Sequence, residues 1–151
     1  MIDRAQIESI TTNDPFFAAE AGKLIDGNEH VGTVGNTNLI PGRANWRIDV
    51  SFTERMKVDR IVVHPGISPD DPNAARLGGS GGPAKLLVQW PEASEALVAP
   101  GLEHGPEPIE IKVDMPAVSA LQIEVLAIHP GKAQGVVGIS EIEFIGHPAK
   151  G

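Results

Sequence analysis

The chain has 151 residues, which is the size of one domain and enough to bury a hydrophobic core. Hydrophobic residues make up 41% of it, too many for a disordered chain, and 17 glycines with 13 prolines predict many turns. The net charge of −8 disfavours nucleic-acid partners, and no apolar run is long enough for membrane insertion. Because cysteine is absent, disulfides, thiolate nucleophiles and cysteine-based zinc sites are excluded.

The first third of the chain predicts one strand followed by turns and loops. Residues 6–11 are predicted as a strand, and the Asn-Asp-Pro at 13–15 turns the chain. Residues 16–19 form one helical turn or an irregular packed segment. The Asp-Gly-Asn at 26–28 is typical of a tight turn, and the Gly, Asn and Thr of residues 29–43 predict a long loop.

The rest of the chain predicts short strands. Residues 46–52 alternate, which places Trp46, Ile48, Val50 and Phe52 on one face. Residues 58–64 are rich in β-branched side chains, and we expect Val58, Ile61, Val62 and Val63 to be largely buried. Residues 66–84 are rich in Gly, Ser, Asp and Pro and predict a flexible insertion. Further strands are predicted over residues 85–90, 95–98, 109–113, 120–128 and 139–145.

Because short strands are numerous and helix-length periodic segments are scarce, the sequence predicts an all-β fold. We expect one domain over residues 1–151, an antiparallel β-sandwich of jelly-roll type. The N-terminal residues contain no apolar stretch typical of a secretion signal. The protein is then cytoplasmic or virion-borne, or it is extracellular if the chain is a module of a larger exported protein.

Several phrases of the sequence, taken in order, resemble one family. Residues 24–28 read LIDGN, residues 46–50 read WRIDV and residues 139–144 read ISEIEF. Together with the strands at 58–63 and 85–89, they resemble the discoidin-like (coagulation factor 5/8 type C) domains and the family 32 carbohydrate-binding modules. These are galactose-binding-like β-sandwiches, and the likeness covers nearly the whole chain.

The resemblance implies a non-catalytic recognition module that binds carbohydrate or glycoprotein through loops at one end of the sandwich. We expect Trp90, His64, Arg43 and Asn45 to contact the ligand, because an indole stacks on a sugar ring while the others supply hydrogen bonds. Each also has a structural interpretation: Trp90 can cover the sandwich edge, His64 precedes a Pro-Gly turn, and the other two lie in a solvated loop. Aromatic residues are only 4% of the chain, which counts against a lectin.

The resemblance also implies one structural calcium ion between the Asp-Gly turn and the last strand. The corresponding ligands are Asp26, Asn28, Thr33, Ser140 and Glu141, with backbone carbonyls supplying the oxygens near Thr33 and Ser140. Carboxylate and carbonyl oxygens are the ligands that Ca²⁺ prefers. An Asp-Gly-Asn sequence is also typical of a hairpin turn without metal, so both interpretations stay open.

The alternative function is a structural or assembly role. A small subunit or a virion decoration protein would use the sandwich to contact copies of itself or domains of a parent protein. The GGSGG at residues 78–82 matches the G-x-S-x-G pattern of hydrolases, but no strand precedes it and no helix follows it. We therefore predict that the chain is not an enzyme.

Overall fold

A computed structural model describes residues 2, 4–14, 18–26, 33–36, 45–65, 81–90, 97–99, 108–129 and 136–149. Within them, short 3-10 helices span Arg4–Gln6 and Ala18–Ile25, and all other regular structure is strand. The strands are β1 (Ile7–Thr12), β2 (Thr33–Asn36), β3 (Arg47–Pro65), β4 (Gly82–Gln89), β5 (Leu97–Ala99), β6 (Ile109–His129) and β7 (Val136–Pro148).

Two long strands organise the fold. Strand β3 has 19 residues and β6 has 21, and each belongs to both layers of the sandwich. Residues 47–51 of β3 pair with residues 120–124 of β6, and residues 56–63 pair with residues 109–118. Register shifts in the ladder separate the two halves, so the strands bend there and carry the sheet from one layer into the other.

Antiparallel pairing builds both layers around these strands. The first layer has the order β1, β3, β6, β4, β5, and the second has β6, β3, β7, β2. Gly81 joins the layers at one corner: its N–H donates to the Val136 carbonyl at 2.8 Å, and its carbonyl accepts from the Gly138 N–H at 2.9 Å. The predicted all-β, jelly-roll sandwich is confirmed.

Apolar side chains from both layers meet in one core. Trp46, Ile48, Val50 and Phe52 are all buried, as the alternation predicted. The ring of Phe52 contacts that of Phe144 on β7 edge to face, with 5.8 Å between centroids. A β-bulge between Val58 and Arg60 shifts the alternation. Ile61 is therefore fully buried, whereas Val62 on the other face is half-buried.

Several sequence-based boundaries differ from the structure. The predicted insertion at 66–84 includes the first residues of β4, because Gly82 starts that strand and pairs with His129. Pro83 lacks an N–H, and the ladder accommodates it through a register shift before Lys85. The remainder of the insertion, residues 66–80, lies outside the described residues. The pairs of strands predicted at 46–52 with 58–64, and at 109–113 with 120–128, are each one continuous strand.

Among the residues that the structure describes, no helix is long and apolar enough to cross a bilayer.

Candidate functional site

The start of β3 carries a polar cluster built from three strands. Asn13, just after β1, donates from Nδ2 to the Asn45 carbonyl at 2.8 Å and accepts from the Arg47 N–H at Oδ1 at 2.9 Å. Asn45 donates from its own Nδ2 to Oε2 of Glu124 on β6 at 3.3 Å. Asn45 is exposed, so a side chain that the sequence nominated for ligand binding is both accessible and held in place.

The buried side chain of Trp46 supports this cluster from the core side. Its side chain is 0% exposed and packs against β2, where Gly35 lies against the indole ring. The Trp46 carbonyl accepts from the Val125 N–H at 2.9 Å, which fixes the start of β3 to β6. Burial of a large apolar ring between two hydrogen-bonded neighbours gives residues 45–47 a defined backbone.

His64 lies near the other end of β3 and is tied to β7. It pairs with Glu141 in the ladder, and its carbonyl accepts from the Ser140 hydroxyl at 3.2 Å. Its Nε2 lies 3.5 Å from Oε2 of Glu143, and its side chain is only 14% exposed. His64 therefore links two strands, and a ligand reaches little of its ring.

Trp90 does not lie beside these residues. It follows Gln89, which pairs with Gln122, so it lies at the end of β4 that points away from His129. Its ring is partly buried and packs against the core, which agrees with the structural interpretation. Asn45 and His64 lie near opposite ends of β3. Arg43, the fourth predicted ligand residue, lies outside the described residues.

The pairing of β2 with β7 brings together most of the predicted calcium ligands. Thr33 pairs with Ile139, so it lies across from the residue that precedes Ser140 and Glu141. All three predicted ligands here are buried: Thr33 is 1% exposed, Glu141 4% and Ser140 5%. The 3-10 helix that ends at Ile25 packs against both strands and leads into Asp26, which is exposed. Asn28 lies outside the described residues.

The residues present fit a hard cation. Thr33 Oγ1 is buried and has no hydrogen-bond partner among the described residues, and a buried oxygen without a partner is costly. Glu141 brings a buried carboxylate to the neighbouring strand. In the same described set, no three histidine, aspartate or glutamate side chains cluster as a metal site. A calcium ion here would need backbone and hydroxyl oxygens in addition to Asp26 and Glu141.

Asn13 and Glu124 are the members of the polar cluster that sequence analysis missed. Asn13 was interpreted only as part of an Asn-Asp-Pro turn, and Glu124 was only included in the strand predicted over residues 120–128. Both act on residues far away in sequence, because Asn13 lies 32 residues before Asn45 and Glu124 lies 79 residues after it. No local pattern signals such a contact.

Lys57 and Asp59, two groups with shifted pKa values, lie elsewhere, on the outer face of the second layer. Lys57 Nζ lies 2.6 Å from Oδ1 of Asp59 and 3.3 Å from Oδ1 of Asp114. The hydrogen bond from Lys57 lowers the pKa of Asp59, and the hydrogen bonds to both carboxylates raise the pKa of Lys57. This ion pair is a surface feature of the sheet and is not part of the cluster around Asn45.

Solved structures share this architecture over nearly the whole chain. The structure of the CBM32-1 and CBM32-2 domains from Clostridium perfringens ZmpB superposes with a TM-score of 0.67 at 16% identity, over 97% of this chain and 36% of that one. The F5/8 type C domain of a Bacteroides fragilis protein gives a TM-score of 0.65 at 14% identity, covering 99% and 96%. This chain has the discoidin-like fold.

A third discoidin-like structure is the family 32 module of C. perfringens NanJ in complex with galactose. Its TM-score is 0.60 at 18% identity, with 90% of each chain covered. The present chain spans about a third of the length of the ZmpB two-domain structure. No protein-family sequence model matches the chain, and no curated protein sequence matches it. The likeness to discoidin-like domains therefore resides in the fold.

Proposed function

We propose that this chain is a non-catalytic carbohydrate-binding module whose ligand contacts the end of the sandwich where β3 begins. The observation that carries the proposal is the exposed, immobilised Asn45 in a fold shared with modules that bind sugars. The similar NanJ module was solved with galactose, and the similar ZmpB domains were solved with GalNAc. The fold shared with these modules supports carbohydrate as the class of ligand, and the polar cluster supports the start of β3 as the binding site.

The chemistry of the cluster suits a sugar. Each sugar hydroxyl both donates and accepts hydrogen bonds, so a site needs donors and acceptors side by side. Asn45 offers a carboxamide, and Glu124 offers a carboxylate oxygen beside it. Arg43 precedes Asn45 by two residues but lies outside the described residues, so its role in binding stays a prediction. Roles for Trp90 and His64 in binding stay predictions.

We also propose a structural calcium ion held by Asp26, Asn28 and Glu141, with oxygens of Thr33 and Ser140. The buried Thr33 hydroxyl, which has no hydrogen-bond partner in the described part of the chain, supports it. When bound, the ion would attract the surrounding oxygens electrostatically and would do no chemistry on a ligand. Its effect would be to fix Asp26 to β7, so that the chain after the 3-10 helix is held against the sandwich.

A glycan array followed by calorimetry tests the main proposal. The intact chain is expected to bind galactose- or GalNAc-terminated glycans, and Asn45→Ala is expected to weaken binding at least tenfold. Gln89→Ala is the matched control, because Gln89 is an exposed amide on β4 away from the start of β3. Failure to bind any glycan, together with a stable oligomer in light scattering, would contradict the proposal and favour the assembly role.

A further inference from the structure

The backbone of Asn45 is held from two sides by one residue. Asn13 donates to the carbonyl of Asn45 and accepts from the N–H of Arg47, and its own N–H donates to the Arg47 carbonyl at 3.3 Å. Trp46, between them, is fully buried. Three hydrogen bonds and one buried ring therefore fix the peptide groups on both sides of Trp46, and the Asn45 side chain projects from a rigid support.

The side chain of Asn45 is oriented by Glu124. Its Nδ2 donates to Glu124 Oε2 at 3.3 Å, so the carboxamide nitrogen faces the carboxylate. The Oδ1 atom of a planar carboxamide then points away from the carboxylate, where it is available as an acceptor. Glu124 thus decides which atom of Asn45 a ligand meets.

Among the residues that the structure describes, no ion pair to Glu124 is found. Arg47 is its partner in the β3–β6 ladder, yet no ion pair joins the two side chains, both of which the structure describes. The next carboxylate on this face, Asp49, accepts from Gln122 Nε2 at 2.9 Å and lies two ladder positions further from Asn45. An anionic ligand at Asn45 would therefore meet mainly the charge of Glu124, and like charges a few ångströms apart repel appreciably even near water.

We propose that Asn13 and Glu124 are the positioning residues of the carbohydrate site, and that the Glu124 carboxylate makes the site select neutral sugars over acidic ones. This inference rests on the proposed function. It predicts poor binding of uronic and sialic acids by this chain.

Calorimetry with galactose and galacturonic acid tests both roles. Glu124→Gln keeps an acceptor for Asn45 Nδ2 but removes the charge, so galactose affinity is expected to stay within about twofold while galacturonate binding improves about fivefold. Glu124→Ala removes the acceptor as well and is expected to weaken galactose binding about tenfold. Asn13→Ala is expected to weaken both sugars to the same extent, about tenfold, because it releases the backbone without changing charge.

Asp49→Asn is the matched control, since it makes the same change of charge on the neighbouring strand without touching Asn45. It is expected to leave the ratio of galactose to galacturonate affinity within about twofold of that of the unmodified chain. An unchanged ratio in Glu124→Gln, or an equal change in Asp49→Asn, would overturn the role of Glu124. Unaltered galactose binding in both Asn13→Ala and Glu124→Ala would overturn positioning. If the unmodified chain binds neither sugar, the proposed function itself fails, which is a different result from these.

Discussion

Gly35 on β2 lies directly against the indole of Trp46 at the start of β3. A β-carbon built on Gly35 would overlap Cγ and Cδ2 of the ring and lie 2.7 Å from Cδ1. Trp46 is fully buried, so the ring has no room to retreat. This contact joins the two layers beneath the proposed ligand site, and only glycine at position 35 permits it.

Gly35→Ala is therefore expected to destabilise the fold by about 3 kcal/mol, because overpacking in a dense core forces the ring and the backbone apart. Urea denaturation measures the loss. Gly22→Ala is the control, since no atom lies within 4 Å of a β-carbon there, and its stability is expected to change by less than about 1 kcal/mol. Equal stability of the two variants would contradict the packing of Gly35 on Trp46.

The edge-to-face pair of Phe52 and Phe144 is expected to couple the two layers. Phe52→Leu and Phe144→Leu should each destabilise the protein, and the double variant should be more stable than the sum of the two losses predicts. The coupling free energy is expected to be about 1 kcal/mol. A double-mutant cycle by chemical denaturation measures it, and purely additive losses would show that the rings do not contact each other.

The pKa of Asp59 depends on Lys57. Its carboxyl has a pKa below the ordinary value of 3.8, chiefly through the hydrogen bond from Lys57. Stability from this interaction is therefore present above pH 3.8 and is lost as the pH falls through the lower folded-state pKa. For Lys57, whose pKa is raised above 10.5, the contribution is present below that pH and is lost as the pH rises further.

In Lys57→Gln, the pKa of Asp59 is expected to rise toward 3.8 in an NMR titration of the side-chain carboxyl. Lys112→Gln, which removes an exposed lysine from β6, should leave it unchanged. The effect on the free energy of unfolding should be small, since both partners are exposed to solvent. An Asp59 pKa that is the same with and without Lys57 would contradict the ion pair.

Calcium is expected to raise the melting temperature if the buried oxygens of Thr33 and Glu141 hold it. At a free concentration 100 times the Kd, binding adds about 2.7 kcal/mol of stability, a shift of several degrees. Glu141→Gln should abolish the calcium-dependent part of the shift, while Glu143→Gln, on the outer side of the same strand, should retain it. A melting temperature that is identical in calcium and in chelator would contradict the proposed ion site.

The fold was largely predictable because alternation and order carry much of it. The buried face of residues 46–52 and the closing strand at the end of the chain are both as the pattern indicated. The continuity of β3 was not predictable, because the exposed Thr53, Glu54 and Arg55 interrupt the apolar pattern where the strand bends. The bulge after Val58 likewise changes which residues face the core, and the sequence pattern does not indicate it.

The site was less predictable than the fold. Asn45 was nominated from its place before a tryptophan, and the structure shows it exposed and hydrogen-bonded. Its supports are Asn13, which follows β1, and Glu124 on β6, and only the register of β1 and β6 against β3 brings them to it. Trp90 was predicted to bind the ligand because it is aromatic, and the periodicity of the sequence does not indicate that its ring packs on the core.

A titration of the isotope-labelled chain with galactose, followed by NMR, tests the central claim most directly. Binding at the start of β3 predicts the largest shift changes at the backbone amides of Asn45, Trp46 and Arg47 and at the side-chain amides of Asn13 and Asn45. The Trp90 indole N–H should move little. No change at millimolar galactose and GalNAc, or changes confined to the Trp90 end of β4, would contradict a carbohydrate site at Asn45.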